Sequence, residues 1–336
     1  MTAPDRPTRP RISCVVPAYN EARNLPVLLA ELTPVLGALS EGWEVIVVDD
    51  GSRDETAQVM LPWVIQPGVR YLRLSRNFGK ECALTAGIDH AGGDVVVLMD
   101  ADLQHPPALI SRMLLSWQDG ADMVCAARSS REDESLLKRL GSRVFYWLVN
   151  HQTAVQIPVD AGDFRLMDRT VVDALKALPE RNRFMKGLYA WVGFRTEVID
   201  YMPAERFAGE SSFSLRSLAR LAFTGVTAFS NFPLRLWSGA GVLIALAALL
   251  FGAYIVIDYF LYGNDVPGWA TLVTGLMFSS GVQLLSIGIL GEYVGRIFDE
   301  VKQRPIYVVG SLVGRSTFDP ATAAVPSAVP RQQMAA

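Results

Sequence analysis

The chain has 336 residues, half of them apolar, with 31 basic against 34 acidic side chains and a formal net charge of −3. That length allows one large α/β domain with extra elements, or two domains. The near-neutral balance gives no basic field for nucleic acid, and three cysteines without metal or disulfide spacing fit a reducing cytoplasm.

The first eleven residues contain Arg and Pro but no apolar core, so no signal peptide is expected, and 1–10 reads as disordered. "ISCVVPAY" (Ile12–Tyr19) reads as a strand, followed by helical spacing from Glu21 to Leu39. "EVIVVDDGS" (Glu44–Ser52) repeats the pattern, with a helix near Asp54 to Val64. Val69–Ser75, Val95–Asp100 and Asp122–Arg128 continue it, with helical stretches between. Continuous Val/Ile runs alternating with helices predict a mostly parallel sheet covered on both faces. Phe164–Arg169 and Gly193–Pro203 read as further strands.

Beyond Arg235 the composition changes. Leu236–Ile257 and Val266–Gly291 carry no charge at all, and each run is long enough as a helix to cross about 30 Å of hydrocarbon. Two such runs in tandem predict transmembrane helices at 236–262 and 266–291. Arg216, Arg220 and Arg235 precede them and Arg296, Lys302 and Arg304 follow. The connector carries only Asp258 and Asp265, so both flanks are expected on the cytoplasmic side of a plasma membrane. Ser214–Phe232 alternates basic and apolar residues, which predicts an interfacial amphipathic helix at 213–235, with an ordinary surface helix as the alternative. Residues 292–336 read as a cytoplasmic tail, disordered after about Thr317.

Ligands of parallel sheets bind beyond the carboxyl ends of the strands. The polar residues sit at those ends: Tyr19, Asn20 and Glu21; Asp49 and Asp50; Ser75, Arg76 and Asn77; Asp100 and Asp102; Arg128. No G-x-x-x-x-G-K-[ST] occurs, and the "GAG" at Gly239–Gly241 opens an apolar run without a third glycine, which excludes the common nucleotide-binding loops. The D-x-D of "VVVLMDADLQHPP" ends a buried strand in charges that nothing nearby in sequence neutralises. It suits Mg2+ or Mn2+ bridging carboxylates to a diphosphate that leaves a sugar carbon. Asp102 is the expected direct ligand, Gln104 a neutral oxygen donor beside it, and Asp100 a ligand or sugar contact. Alternatively, Asp102 simply caps the helix that Pro106 begins.

"VVPAYNEARNLP", "VIVVDDGSRDET", "LSRNFGKECALTAGID", "VVVLMDADLQHPP", "DAGDFRLMDR", "LPERNRFMKGLYAWVGF" and "RFAGESSFSLRSL" occur in this order. In this the chain resembles the membrane-anchored polyprenyl-phosphate glycosyltransferases of glycosyltransferase family 2, over about Ile12 to Val308. It is most similar to the bacterial branch that loads glucose or a similar sugar onto undecaprenyl phosphate. The resemblance implies a GT-A type α/β catalytic domain at 11–212 and inverting transfer from a nucleotide sugar, UDP-linked by preference, at the bilayer. A homo-oligomer is left open. By position, Pro17, Tyr19 and Glu21 would line base and ribose, and Asp50 would read the uracil or ribose edge. Asn77 and Lys80 would hold the nucleotide, although Lys80 also reads as a solvated surface lysine. Arg128 would face phosphate, and Arg143 either a second phosphate or solvent.

A lipid phosphate monoester has a second pKa near 6, so it needs positioning more than deprotonation. A carboxylate base is therefore optional. Asp163 is the first candidate and Asp160 the second, with Arg165 beside it to hold a phosphate. A structural cap or an ion pair with Arg165 is the alternative for Asp163. Two other readings stay open. A processive polysaccharide synthase would need a Q-x-x-R-W motif and more spans, and an inactive nucleotide-binding scaffold would not keep the D-x-D.

Overall fold

In the computed structural model, residues 6–128, 161–181, 183–201, 232–262 and 268–318 are described. The apolar runs form strands β1 (Arg11–Ala18), β2 (Gly42–Asp49), β3 (Val69–Leu74), β4 (Val95–Leu98) and β5 (Met123–Arg128), in chain order. They alternate with helices α1 (Leu25–Leu39), α2 (Thr56–Met60), α3 (Lys80–His90) and α4 (Leu109–Gln118). Next come β6 (Ala161–Asp168), α5 (Arg169–Ala177), α6 (Met185–Trp191) and β7 (Thr196–Tyr201). The long helices α7 (Phe232–Tyr262) and α8 (Trp269–Lys302) follow, and then β8 (Val309–Gly314).

The strands make one sheet in the order β7-β5-β6-β4-β1-β2-β3-β8. β1 pairs parallel with β2 and β4, β2 with β3, and β5 with β7, while β6 and β8 run antiparallel to their neighbours. The mostly parallel α/β sheet expected from the Val/Ile runs is thus present. Its central strands are buried on both faces, which is why they read as unbroken apolar runs rather than alternating ones. One face packs on α1, α2 and α4 through residues such as Leu28, Leu32, Met113 and Trp117. The other packs on α3, α5 and α6 through Leu84, Ile88, Val172 and Leu188.

Two terminal expectations need correction. Residues 6–10 are ordered, because the Arg6 guanidinium stacks over Trp117 at 5.0 Å, pairs with Asp122 at 2.9 Å and donates to the Trp117 and Ala121 carbonyls. The tail is not only a tail: β8 adds to the edge of the sheet, in register from Arg70↔Gly314 to Arg73↔Ser311. Tyr307 also donates to Asp89 at 2.7 Å, and Thr317 bonds the Trp43 backbone.

Among the described residues, Thr271–Lys302 of α8 is the one helix long and apolar enough to cross a membrane, and the apolar stretch Gly239–Ile255 of α7 is shorter. Trp237 on α7 donates to the Ser286 hydroxyl on α8 at 2.6 Å. The predicted interfacial helix lies outside the described residues up to Asn231, as do the connector 263–267, Asp160 and Arg143.

Candidate active site

The carboxyl ends of β1, β2, β3, β4 and β5 share one rim because these strands run the same way, and antiparallel β6 brings its amino end there. On the β1–β2 side, two loops are zipped together. The Asn20 N–H donates to the Ser52 hydroxyl at 2.9 Å, the Arg53 N–H to Asn20 Oδ1 at 2.9 Å, and the Glu21 N–H to Thr56 Oγ1 at 3.1 Å. Asn20 adopts φ +59°, a left-handed conformation that a short amide side chain tolerates. Gly51 is required for a different reason. At its φ of +70° a Cβ would sit 2.5 Å from the Arg76 carbonyl carbon, so only glycine lets the β2 and β3 loops pass. These loops present half-buried Pro17, Glu21, and Tyr19, which is 42% exposed, along one wall of the cleft.

The two aspartates ending β2 lie below the rim. Asp49 accepts from the Ser52 N–H and the Tyr71 hydroxyl. Asp50 is 3% exposed, and its two oxygens accept the Phe78 N–H at 2.7 Å and the Gly79 N–H at 2.9 Å. Burial pushes the Asp50 carboxyl up, against the pull of those two N–H groups. Asp50, expected to read a uracil or ribose edge, also clamps the loop that carries exposed Asn77 and begins α3.

At the start of α3, Lys80 reaches across the cleft. Its Nζ lies 2.6 Å from Asp100 Oδ1 and 2.7 Å from Asp163 Oδ2. The positive charge that seemed to be missing beside the D-x-D is therefore partly the protein's own. The sequence hid it because Lys80 stands twenty residues before Asp100 and belongs to another element. Burial alone would depress the Lys80 ammonium, but the two carboxylates outweigh it and raise its pKa. Burial would likewise raise the Asp163 carboxyl, yet the charges of Lys80, Lys186 and Arg165 bring it down to about 2.

Asp102 accepts the Gln104 N–H at 3.2 Å, in a turn where Leu103 takes φ +61°. A left-handed leucine costs about 1–2 kcal/mol, a strain typical of functional loops. The turn is anchored by buried His105, whose ring lies 4.9 Å from that of Phe164 and 5.6 Å from that of Tyr201. Asp102 accordingly does not cap α4, whose N-cap is Ala108.

Arg128 ends β5, in register with Tyr201 of β7. Arg165 shares a sheet face with Asp163 but sits two residues deeper. It is 3% exposed, stacks on the Tyr189 ring at 3.6 Å and donates to the Gly162 carbonyl at 2.9 Å. In this arrangement Arg165, expected to hold a phosphate, is stacked and buried beside Asp163. Sequence reasoning also missed Glu81. Its carboxylate accepts the Met185 N–H at 3.2 Å, joining α3 to α6, and burial plus the Asp163 charge push its pKa up to about 7. The only sequence signal for Glu81 was its place beside Lys80 at the opening of α3.

Among the described residues, no three His, Cys, Asp or Glu side chains converge as a closed metal cage. Asp100 and Asp102 are the rim carboxylates that could hold a hard cation with positions open for substrate phosphates.

Residues 13–176 match the family described as Glycosyl transferase family 2, and 232–297 match one described as GtrB C-terminal hairpin. An uncharacterized glycosyltransferase of Synechocystis is 44% identical over 304 residues, covering 90% of this chain and 96% of that one. The chain belongs to glycosyltransferase family 2. A second relative, the bactoprenol glucosyl transferase of Shigella phage SfII, is 45% identical over 300 residues, covering 89% of this chain and 97% of that one. Among solved structures, glucosyl-3-phosphoglycerate synthase of Mycobacterium tuberculosis overlays with a TM-score of 0.46 at 21% identity, over 64% of this chain and 76% of that one. As a family 2 member the chain is a glycosyltransferase, and the rim is where its sheet gathers ionisable side chains from three elements.

Proposed function

We propose that this glycosyltransferase moves a glucosyl group from a UDP-linked nucleotide sugar to a polyprenyl phosphate at the cytoplasmic face of a membrane. The observation that carries the reading is that Lys80 bridges Asp100 and Asp163 at the rim, with Asp102 two residues beyond Asp100. Glucose and the polyprenyl carrier are supported by full-length relatives named bactoprenol glucosyl transferase. Two membrane spans, 236–262 and 266–291, are supported by the uncharged runs and by the basic residues flanking them.

Asp100, Asp102 and Gln104 would hold Mg2+ or Mn2+, which when bound offsets charge on the departing diphosphate. Pro17, Tyr19 and Glu21 would line the base and ribose, with Asn77 opposite. Arg128 and Arg143 would meet phosphate oxygens in bidentate fashion. A carrier phosphate oxygen attacks the sugar's C1 while the bond from C1 to the nucleoside diphosphate breaks, inverting that carbon. No proton has to move in this step, because a phosphate monoester with a second pKa of about 6 is mostly dianionic at pH 7. Asp163 fits such a mechanism. A carboxylate held near 2 is a poor base but a dependable fixed charge at the acceptor side of the cleft.

The test is chemical. Membranes containing the protein are incubated with radiolabelled UDP-glucose, UDP-galactose or GDP-mannose, and the lipid extract is chromatographed. Label from UDP-glucose in a mild-acid-labile polyprenyl lipid is the expected result. Label that stays in the aqueous phase, or enters lipid from another donor alone, would sink the assignment.

A further inference from the structure

Lys80 lies where an electrostatic argument would put a metal. One ammonium, on a flexible four-carbon stem, is shared between carboxylates from two different segments: Asp100 after β4, and Asp163 on β6. The backbone that presents it is tightly held. Asp50 accepts two consecutive N–H groups just before it, and Glu81 just after it ties α3 to the start of α6. The side chain itself is not enclosed, being 44% exposed against 25% for Asp100 and 21% for Asp163. A fixed base with an exposed, pivoting head is the arrangement of a group that can change partners.

Two cations within hydrogen-bonding reach of one carboxylate repel each other strongly at the reduced dielectric of a cleft. A divalent ion on Asp100 and the Lys80 ammonium on the same oxygen are therefore competitors. Asp163 is not part of the D-x-D, and nothing requires the ammonium to leave it.

We propose that Lys80 is a positioning residue that occupies Asp100 in place of a divalent cation, yields that carboxylate when the cation arrives, and remains on Asp163. Metal loading at the donor side is thereby linked to the orientation of Asp163 at the acceptor side. The proposal rests on the reading of the rim given above and adds a direction to it. Lys80 opposes metal binding while favouring turnover.

The two effects have opposite signs, which a purely structural lysine cannot produce. Full-length protein in nanodiscs is titrated with Mn2+ alone, followed by electron paramagnetic resonance of the free ion, for wild type, Lys80→Met and Lys80→Arg. Lys80→Met is expected to bind Mn2+ about three- to tenfold more tightly and to lose at least about tenfold in kcat, with the KM for donor little changed. Lys80→Arg should keep wild-type Mn2+ affinity and recover part of the turnover. Equal or weaker Mn2+ binding by Lys80→Met overturns the proposal, as does failure of the wild type to bind millimolar Mn2+ at all. Should Lys80→Met not fold, the wild type supplies the second measurement. Labelling of Lys80 by an amine-reactive ester, read by mass spectrometry, should rise when Mn2+ is added, and unchanged labelling at saturating Mn2+ overturns the proposal. Both readouts need no sugar donor. If glucosyl transfer is found and neither readout responds, this inference falls while the proposed function stands.

Discussion

Two groups of charges sit at opposite ends of the same sheet and are built differently. At the amino ends of the strands, Glu44 is wholly buried and accepts three hydrogen bonds: from Ser13 Oγ at 2.7 Å, Arg70 Nη1 at 2.8 Å and the Gly92 N–H at 2.9 Å. Arg70 in turn also donates to the His90 carbonyl. At the carboxyl ends, Lys80, Asp100 and Asp163 share one cation between two anions and keep part of their surface in water. The first group is saturated and closed. The second leaves two carboxylates dividing one ammonium, with all three side chains partly open to water. Saturation marks a charge kept for folding, whereas an open imbalance marks one kept for chemistry.

The largest expected effect falls on the closed group. Glu44→Ala strands the Arg70 guanidinium and the Gly92 N–H, and should cost about 3–5 kcal/mol of stability, measured by chemical denaturation. Its remaining folded fraction should turn over donor normally. A full-strength fold with lost activity would invert the comparison.

Asp102→Asn is the counterpart beside the open group, two residues beyond Asp100. It should reduce lipid-linked product by about two orders of magnitude while leaving the thermal midpoint within a degree or two of wild type. Near wild-type turnover, or full activity in excess EDTA, would remove the metal from the mechanism.

Arg165→Met tests the layer between the two groups. The guanidinium that stacks on Tyr189 and orients the floor beneath Asp163 disappears, while a long side chain still fills the space. Turnover should fall by about tenfold with donor KM unchanged. A rise in donor KM alone would return Arg165 to a phosphate-binding role.

The smallest effect concerns pH. Glu81 has a folded-state pKa near 7, raised from the usual 4.5 by burial and by Asp163, so the folded chain binds the extra proton. Its stability contribution is complete below about pH 4.5 and is lost as pH rises through about 7. The thermal midpoint of wild type should therefore fall relative to Glu81→Gln across that window. Parallel curves for the two proteins would show that Glu81 titrates normally.

Much of this layout was legible in the chain. The Val/Ile runs of β1, β2 and β4 announced strands buried on both faces, and the polar residues just after them announced a rim. Depth was not legible. Asp163 and Arg165 are two residues apart on one face of β6, a rise of about 6.6 Å, which leaves one at the cleft and carries the other into the interior. Asp49, Asp50 and Asp100 likewise lie at or just past strand ends, and only tertiary hydrogen bonds separate loop clamps from a rim charge. The Asp100–Lys80–Asp163 cluster joins three elements with no fixed spacing between them, so no local pattern encodes it. β8 escaped notice because "VGSLVG" is Gly-rich, largely exposed and paired with residues far earlier in the chain.

β8 also sets a timetable for synthesis. Its partner strand β3 leaves the ribosome about 235 residues earlier, since Leu74 pairs with Val309. At about 5–20 residues per second, that edge waits tens of seconds for its neighbour. During the delay β3 presents an unpaired row of N–H and carbonyl groups, the kind of edge that recruits strands from other chains. The last strand cannot arrive before both long apolar helices have been made, so completion of the sheet comes after their synthesis and never ahead of it.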